Sequence, residues 1–267
     1  MLCSNSIDTL GKKCRKRGEH VYLYKKTARI LPLAFVDDLN GISRCGKDSL
    51  ALNIFLTTQI ELKKLKFHVP DQTGKTKCHK MHIGRKNGDC PTLKVHGTVM
   101  PEVNEDVYLG DIISNDGRNK KNVKSRISKG LGIVNQIFNI LDNVSFGSHF
   151  FEMSMLLRDS MLINGTLTNA EIWYNFTKNE IEEFKCLDRL FFRRLLEVPT
   201  TTPTEAYYLE CGVLPINVII KARRINYLHS ILKKYKSGMV YSFFITQWYS
   251  PSKGDWTEQV QQDLIDF

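Results

Sequence analysis

The chain has 267 residues, enough for one large domain or two small ones with an ample core, and its 42% hydrophobic content is that of a soluble globular protein. No stretch approaches the ~20 apolar residues that span a bilayer, and "MLCSNSIDTLGKKCRKRGEH" has no apolar h-region, so the reading is an intracellular protein, nuclear or cytoplasmic, with no membrane partner. A net charge of +10 points to a polyanion.

Residues 1–18 read as a helix ending at Gly18, and "HVYLYKKTARILPLAFV" as strands broken at Pro32. "GKDSLALNIFLTTQIELKKLKF" carries a helical stripe through Leu50, Ile54, Leu62 and Leu65, capped by Asp48 or Ser49. "HVPDQTGKTKCHKMHIG" turns at Pro70-Asp71 and Gly74, then alternates into a short strand ending at Ile83. In "NEDVYLGDIISNDG", Val107, Leu109, Ile112 and Ile113 mark a strand pair bent at Gly110. Beyond that the character changes to helices. Ile127, Leu131, Val134, Phe138 and Leu141 form one apolar face, two more helices cover roughly 148–170 and 178–197, and a basic helix runs from about 216 to 236 after a Pro/Thr connector. The fold class is therefore α+β, a mixed front part followed by an almost wholly helical remainder.

The basic residues are clustered. One run lies between Lys12 and Arg29, a second comprises Arg118, Lys120, Lys121, Lys124, Arg126 and Lys129 with no intervening acid, and a third comprises Lys221, Arg223, Arg224, Lys233, Lys234 and Lys236. Such blocks are either solvated helix faces or footprints of phosphates, whose neutralisation releases counterions; three on one chain favour nucleic acid. The seven cysteines are odd in number, scattered and never spaced C-x-x-C, which suits a reducing compartment. Cys78, His79, His82 and Cys90 do not have zinc-site spacing.

"LPLAFVDDLNG" ends an apolar run with Asp37 and Asp38. At a hairpin turn both carboxylates can crowd one mouth, and hard oxygen ligands of this kind suit Mg²⁺, which keeps its other positions for substrate phosphates. A plain acidic turn before Asn40-Gly41, itself a hairpin signal, is the competing reading.

Order adds what no single motif carries. "AFVDDL" in an apolar hairpin, then a helix, then "TGKTKCHKMHIG", then "YLGDIIS" resembles the C-terminal half of a reverse transcriptase, closest to the LINE-type, non-LTR retrotransposon branch. "LRDSMLINGTLTNAEIWYN" and "TTPTEAYYLECGVLPINVIIKARRINYLH" resemble helical segments that follow the polymerase core in such elements. The resemblance implies part of a palm over 1–115 (an antiparallel sheet plus helices), a thumb-like helical region over 116–198 and post-thumb helices over 199–267. It also implies an RNA template and an RNA/DNA duplex as partners, Mg²⁺ or Mn²⁺ as metal, and no small-molecule cofactor beyond the dNTP.

By the same resemblance Asp37 and Asp38 are the catalytic, metal-holding pair. Phe35 packs against the primer end or nucleotide sugar, Lys75 or Lys77 approaches the triphosphate, and Tyr108, Leu109 and Gly110 turn against the primer strand. Lys120, Lys121, Lys124, Arg126 and Lys129 then track duplex phosphates. The family also needs a third carboxylate on an earlier palm strand and a Gln-Gly segment; "MLCSNSIDTLGKKC" resembles the helix just downstream of that segment. The expectation is a truncated RNA-directed DNA polymerase that holds its metal poorly and is inactive alone. The alternative is a basic nucleic-acid-binding module without catalytic activity.

Overall fold

A computed structural model describes residues 30–35, 38–43, 49–50, 53–54, 57, 78–83, 91–95, 97–234, 239–249 and 254–267. The chain is mixed α and β and mostly helical, and it divides into two compact units: residues 1–106 with 114–117, and residues 107–113 with 118–267. Among the described residues no helix is long and apolar enough to cross a membrane.

In the first unit, β1 (Ile30–Phe35) pairs antiparallel with β2 (Asp38–Ser43), in a register that sets Ile30 opposite Ser43 and Phe35 opposite Asp38. Pro32 faces Gly41 in this ribbon. Its missing N–H is tolerated because each strand of a two-stranded ribbon has a free edge. Asn40 and Gly41 do not make the turn their dipeptide suggests; they lie inside β2, opposite Leu33 and Pro32, in a register where Phe35 already faces Asp38. The helix expected over 46–67 is seen in its described positions, Ser49, Leu50, Asn53, Ile54 and Thr57. The strand expected to end at Ile83 reduces to one parallel bridge between Lys80 and Glu102, made by Lys80 N–H on Pro101 O and Val103 N–H on Lys80 O, both 2.9 Å. A short ribbon follows, β3 (Lys94–Val95) against β4 (Thr98–Val99), and then a hairpin of β5 (Glu105–Tyr108) and β6 (Asp111–Ser114), whose residues 107–113 belong to the second unit.

The second unit is built on α1 (Lys120–Asn143). Its buried positions, Val123, Ile133, Val134, Ile137, Phe138 and Leu141, recur by threes and fours and so fall on one stripe. That stripe also takes in Asn122, Arg126 and Gly130. Its centre is therefore rotated from the face read in the sequence, and Leu131 stands outside it, 42% exposed.

α2 (Phe150–Leu157) continues through a π-helical turn, Arg158–Ile163, into a final turn, Asn164–Thr166. α3 (Lys178–Leu196) opens with a capping box: Glu180 N–H donates to Thr177 Oγ1 at 3.2 Å while Thr177 N–H donates to Glu180 Oε2 at 2.8 Å. α4 (Thr204–Cys211) stops at Gly212, whose φ of +62° is left-handed and cheap only for glycine. Then come α5 (Ile216–Lys234), α6 (Met239–Tyr249) and α7 (Trp256–Asp266).

One core joins Ile137 and Phe138 of α1, Leu162 of the π-turn, Leu187, Phe191 and Phe192 of α3, and Tyr207 of α4. Helices on both sides of residue 198 share it. A second core gathers Val123, Leu167, Trp173, Phe184, Ile216 and Ile220, and a third joins Leu228, Ile231, Phe244 and Val260.

Candidate nucleic-acid interface

Lys120, Lys121, Lys124 and Lys129 are exposed on α1 while its opposite stripe is core. The helix has no acid until Asp142, and its first turn holds two lysines where the helix dipole is already positive. That arrangement costs a few tenths of a kcal/mol per charge, and it leaves a local field that favours an anion. Asn119, just before the helix, does not cap it; its side-chain amide donates to Tyr174 O instead.

Against the first two turns of α1 lies the tip of the β5–β6 hairpin. Leu109 has φ +49° and Gly110 φ +85°. Two successive left-handed residues are what a two-residue hairpin loop of type I′ requires. Glycine adopts that conformation freely; a leucine there is strained by roughly 1–2 kcal/mol. The strain gains no packing, since Leu109 is 45% exposed.

Side chains from two other places hold this tip. Arg126 Nη2 donates to Gly110 O at 2.7 Å and to Asp111 Oδ1 at 2.8 Å. Asn122 accepts from Ile112 N–H at 3.2 Å and donates to Asp111 Oδ1 at 3.1 Å. From the segment after α2, Asn169 Nδ2 donates to Leu109 O at 3.2 Å and to Asp111 Oδ2 at 2.7 Å. Asn169 is itself left-handed, φ +65°, a conformation asparagine tolerates better than most residues. The side chains of Arg126 and Asp111 are only 6% and 13% exposed, and the guanidinium carbon lies 5.8 Å from the centre of the Trp173 ring.

Two sequence expectations change here. Arg126 is buried with the core, unlike the lysines it was grouped with, because Asp111 draws it inward; the exposed set is Lys120, Lys121, Lys124 and Lys129. The first three residues of the third basic run are likewise engaged within the unit. Arg224 is buried and forks onto Asp263 at 2.5 and 2.9 Å, Lys221 bonds Asp266, and Arg223 donates to Leu167 O and Asn164 Oδ1, each at 2.7 Å. The Lys221 bond, and then that of Gln262, holds the Asp266 carboxyl below the usual carboxylate range. Acids on α7 thus answer basic residues on α5, a pairing invisible while the run is read alone. Sequence reasoning also missed Asp111, Asn122 and Asn169; the available signal was the i, i+4 spacing of Asn122, Arg126 and Gly130, which puts all three on the inner stripe.

Tyr108 closes β5 half-buried, and Gly110 occupies the exposed turn. In the other unit, Phe35 and Asp38 are paired strand positions, while Asp37, Lys75 and Lys77 lie outside the described residues. Among the described residues no three His, Cys, Asp or Glu side chains gather as metal ligands. His79, weighed above as a zinc ligand, meets Asp106 at 3.0 Å, Nε2 to Oδ2. Compared with protein-family models, curated proteins and solved structures, the chain matches none.

Proposed function

We propose that this chain is part of a reverse transcriptase of the non-LTR retrotransposon branch, carrying part of a palm, a thumb and post-thumb helices, and that on its own it holds an RNA/DNA duplex without copying it. The observation that carries the reading is α1: a helix with one face packed, lysines 120, 121, 124 and 129 exposed, and a clamped turn at Leu109–Gly110 beside it. The order of motifs supplies the family, with Asp37 and Asp38 as its acid pair. Lysines of this kind set a duplex in place through its phosphates and do not read its sequence.

The test is binding of a short RNA/DNA hybrid over a range of salt. Each phosphate contact contributes a slope of about −0.9 in log K against log salt, so changing the four lysines to Ala makes the dependence shallower by about 3 to 4. An unchanged slope overturns the interface. Primer extension with Mg²⁺ or Mn²⁺ by the 267-residue chain is expected to give no templated incorporation; incorporation would show that the chain does more than hold.

A further inference from the structure

We infer that Arg126 is a positioning residue for duplex binding: buried behind the surface, it fixes the Leu109–Gly110 turn on α1, so that turn and lysines meet the nucleic acid as one rigid body. This rests on the interface proposed above and adds to it a residue that never touches the ligand.

The turn needs such a device. Leu109 holds a left-handed conformation that its own side chain opposes, and that side chain is exposed, so beyond the β5–β6 pairing that closes the loop nothing in the turn itself keeps the pose. The pose is kept by carbonyls: Gly110 O accepts from Arg126 and Leu109 O from Asn169. Asp111, next in the chain, takes donors from Arg126, Asn122 and Asn169 and so locks the two clamps to each other.

Arg126 Nη2 has two hydrogens, and both are spent on the turn and Asp111. With Nε buried and the side chain only 6% exposed, the group faces the interior. A buried ion pair is a poor way to gain stability compared with apolar residues of equal volume; fixing one geometry among several is what it does well. Here the geometry fixed is that of an exposed, strained turn held by the packed stripe of α1, the helix whose exposed side carries Lys120, Lys121 and Lys124.

The experiment uses the full chain and a short RNA/DNA hybrid, with affinity measured across salt and well below the melting temperature. Arg126→Gln removes the clamp from one side. Asn169→Gly removes it from the other while suiting the left-handed backbone, which guards against a variant that does not fold. Both are expected to lose roughly five- to tenfold in affinity, because the turn occupies its binding pose only part of the time, with the salt slope unchanged. Ile137→Val, in the same helix but in the first core, is the control for simple destabilisation and keeps wild-type affinity.

Wild-type affinity in both clamp variants overturns the inference. So does a slope shallower by about 0.9 in Arg126→Gln, which would make the arginine a phosphate contact, or an equal loss in Ile137→Val, which would make its role merely structural. A wild-type chain that binds no hybrid removes the interface and the inference together; wild-type binding with unaffected clamp variants removes the inference alone.

Discussion

Arg158, the first residue of the π-helical turn, forks onto Asp188 of α3 through Nε and Nη2 at 2.9–3.1 Å, with both side chains at most 1% exposed. The guanidinium also lies 5.0 Å from the centre of the Phe192 ring and donates to Leu214 O, so one buried side chain ties α2, α3 and the approach to α5. Removing one partner strands a charge in the core. Arg158→Met alone is expected to cost about 3–5 kcal/mol in urea unfolding, whereas Arg158→Met with Asp188→Leu recovers most of that loss. A double variant no better than the single one would mean that the pair stabilises in its own right.

Tyr208, beside this pair on α4, gives the fold an alkaline limit. Burial, and after it the Asp188 carboxylate, hold its phenol well above the ordinary value of 10.0. The folded state therefore keeps a proton that the unfolded chain releases. The resulting stability is whole below about pH 10 and falls as pH rises through and above that value, because unfolding then liberates the proton. Tyr208→Phe should leave stability at neutral pH nearly unchanged and flatten the alkaline fall in unfolding curves. A fall as steep as wild type would place the sensitivity in another tyrosine.

What the sequence discloses tracks how local the cause is. The 3.6-residue pattern of α1 needs only its own side chains to be read, and the hairpin bend at Gly110 needs only a glycine between two short apolar runs. Arg126 could not be assigned the same way. Inside a basic run its charge looks like its neighbours', and only the partner fifteen positions back, Asp111, turns it inward. The run on α5 is a second case, since its counter-charges Asp263 and Asp266 come from another helix. α6, "MVYSFFITQWY", escaped notice because it is apolar almost all round and has no period to detect. At the candidate site, the lysines and the turn were legible; the clamp joining them was not.

Two glycines of α1 should respond oppositely to alanine. A Cβ on Gly130 would come within 2.4 Å of Leu187 Cδ2 and 3.0 Å of Thr166 Oγ1, where α1 meets α3 and the end of α2. A Cβ on Gly132 meets nothing within 4 Å. Alanine in a helix interior gains about 1 kcal/mol over glycine, and overpacking a core costs about 1–3 kcal/mol. Gly132→Ala is expected to raise the melting temperature and Gly130→Ala to lower it. Stabilisation by both would mean that Leu187 moves aside freely and that the close approach of the helices is incidental.

The pairing of α5 with α7 separates the two basic runs in a single binding series. Lys221 is engaged by Asp266, and Arg223 by Leu167 O and Asn164, so neither is expected to meet phosphate. Lys221→Ala and Arg223→Ala should each leave the salt slope of hybrid binding at its wild-type value, while Lys124→Ala makes it shallower by about 0.9. Salt should also tell the α7 contacts apart by stability. The exposed Lys221–Asp266 bond is screened, whereas the buried Arg224–Asp263 fork is not. Arg224→Met, which leaves Asp263 buried without its partner, is accordingly expected to destabilise the chain by about 3–5 kcal/mol at any ionic strength. A loss that vanishes in high salt would mean that α7 is held by long-range attraction and not by that fork.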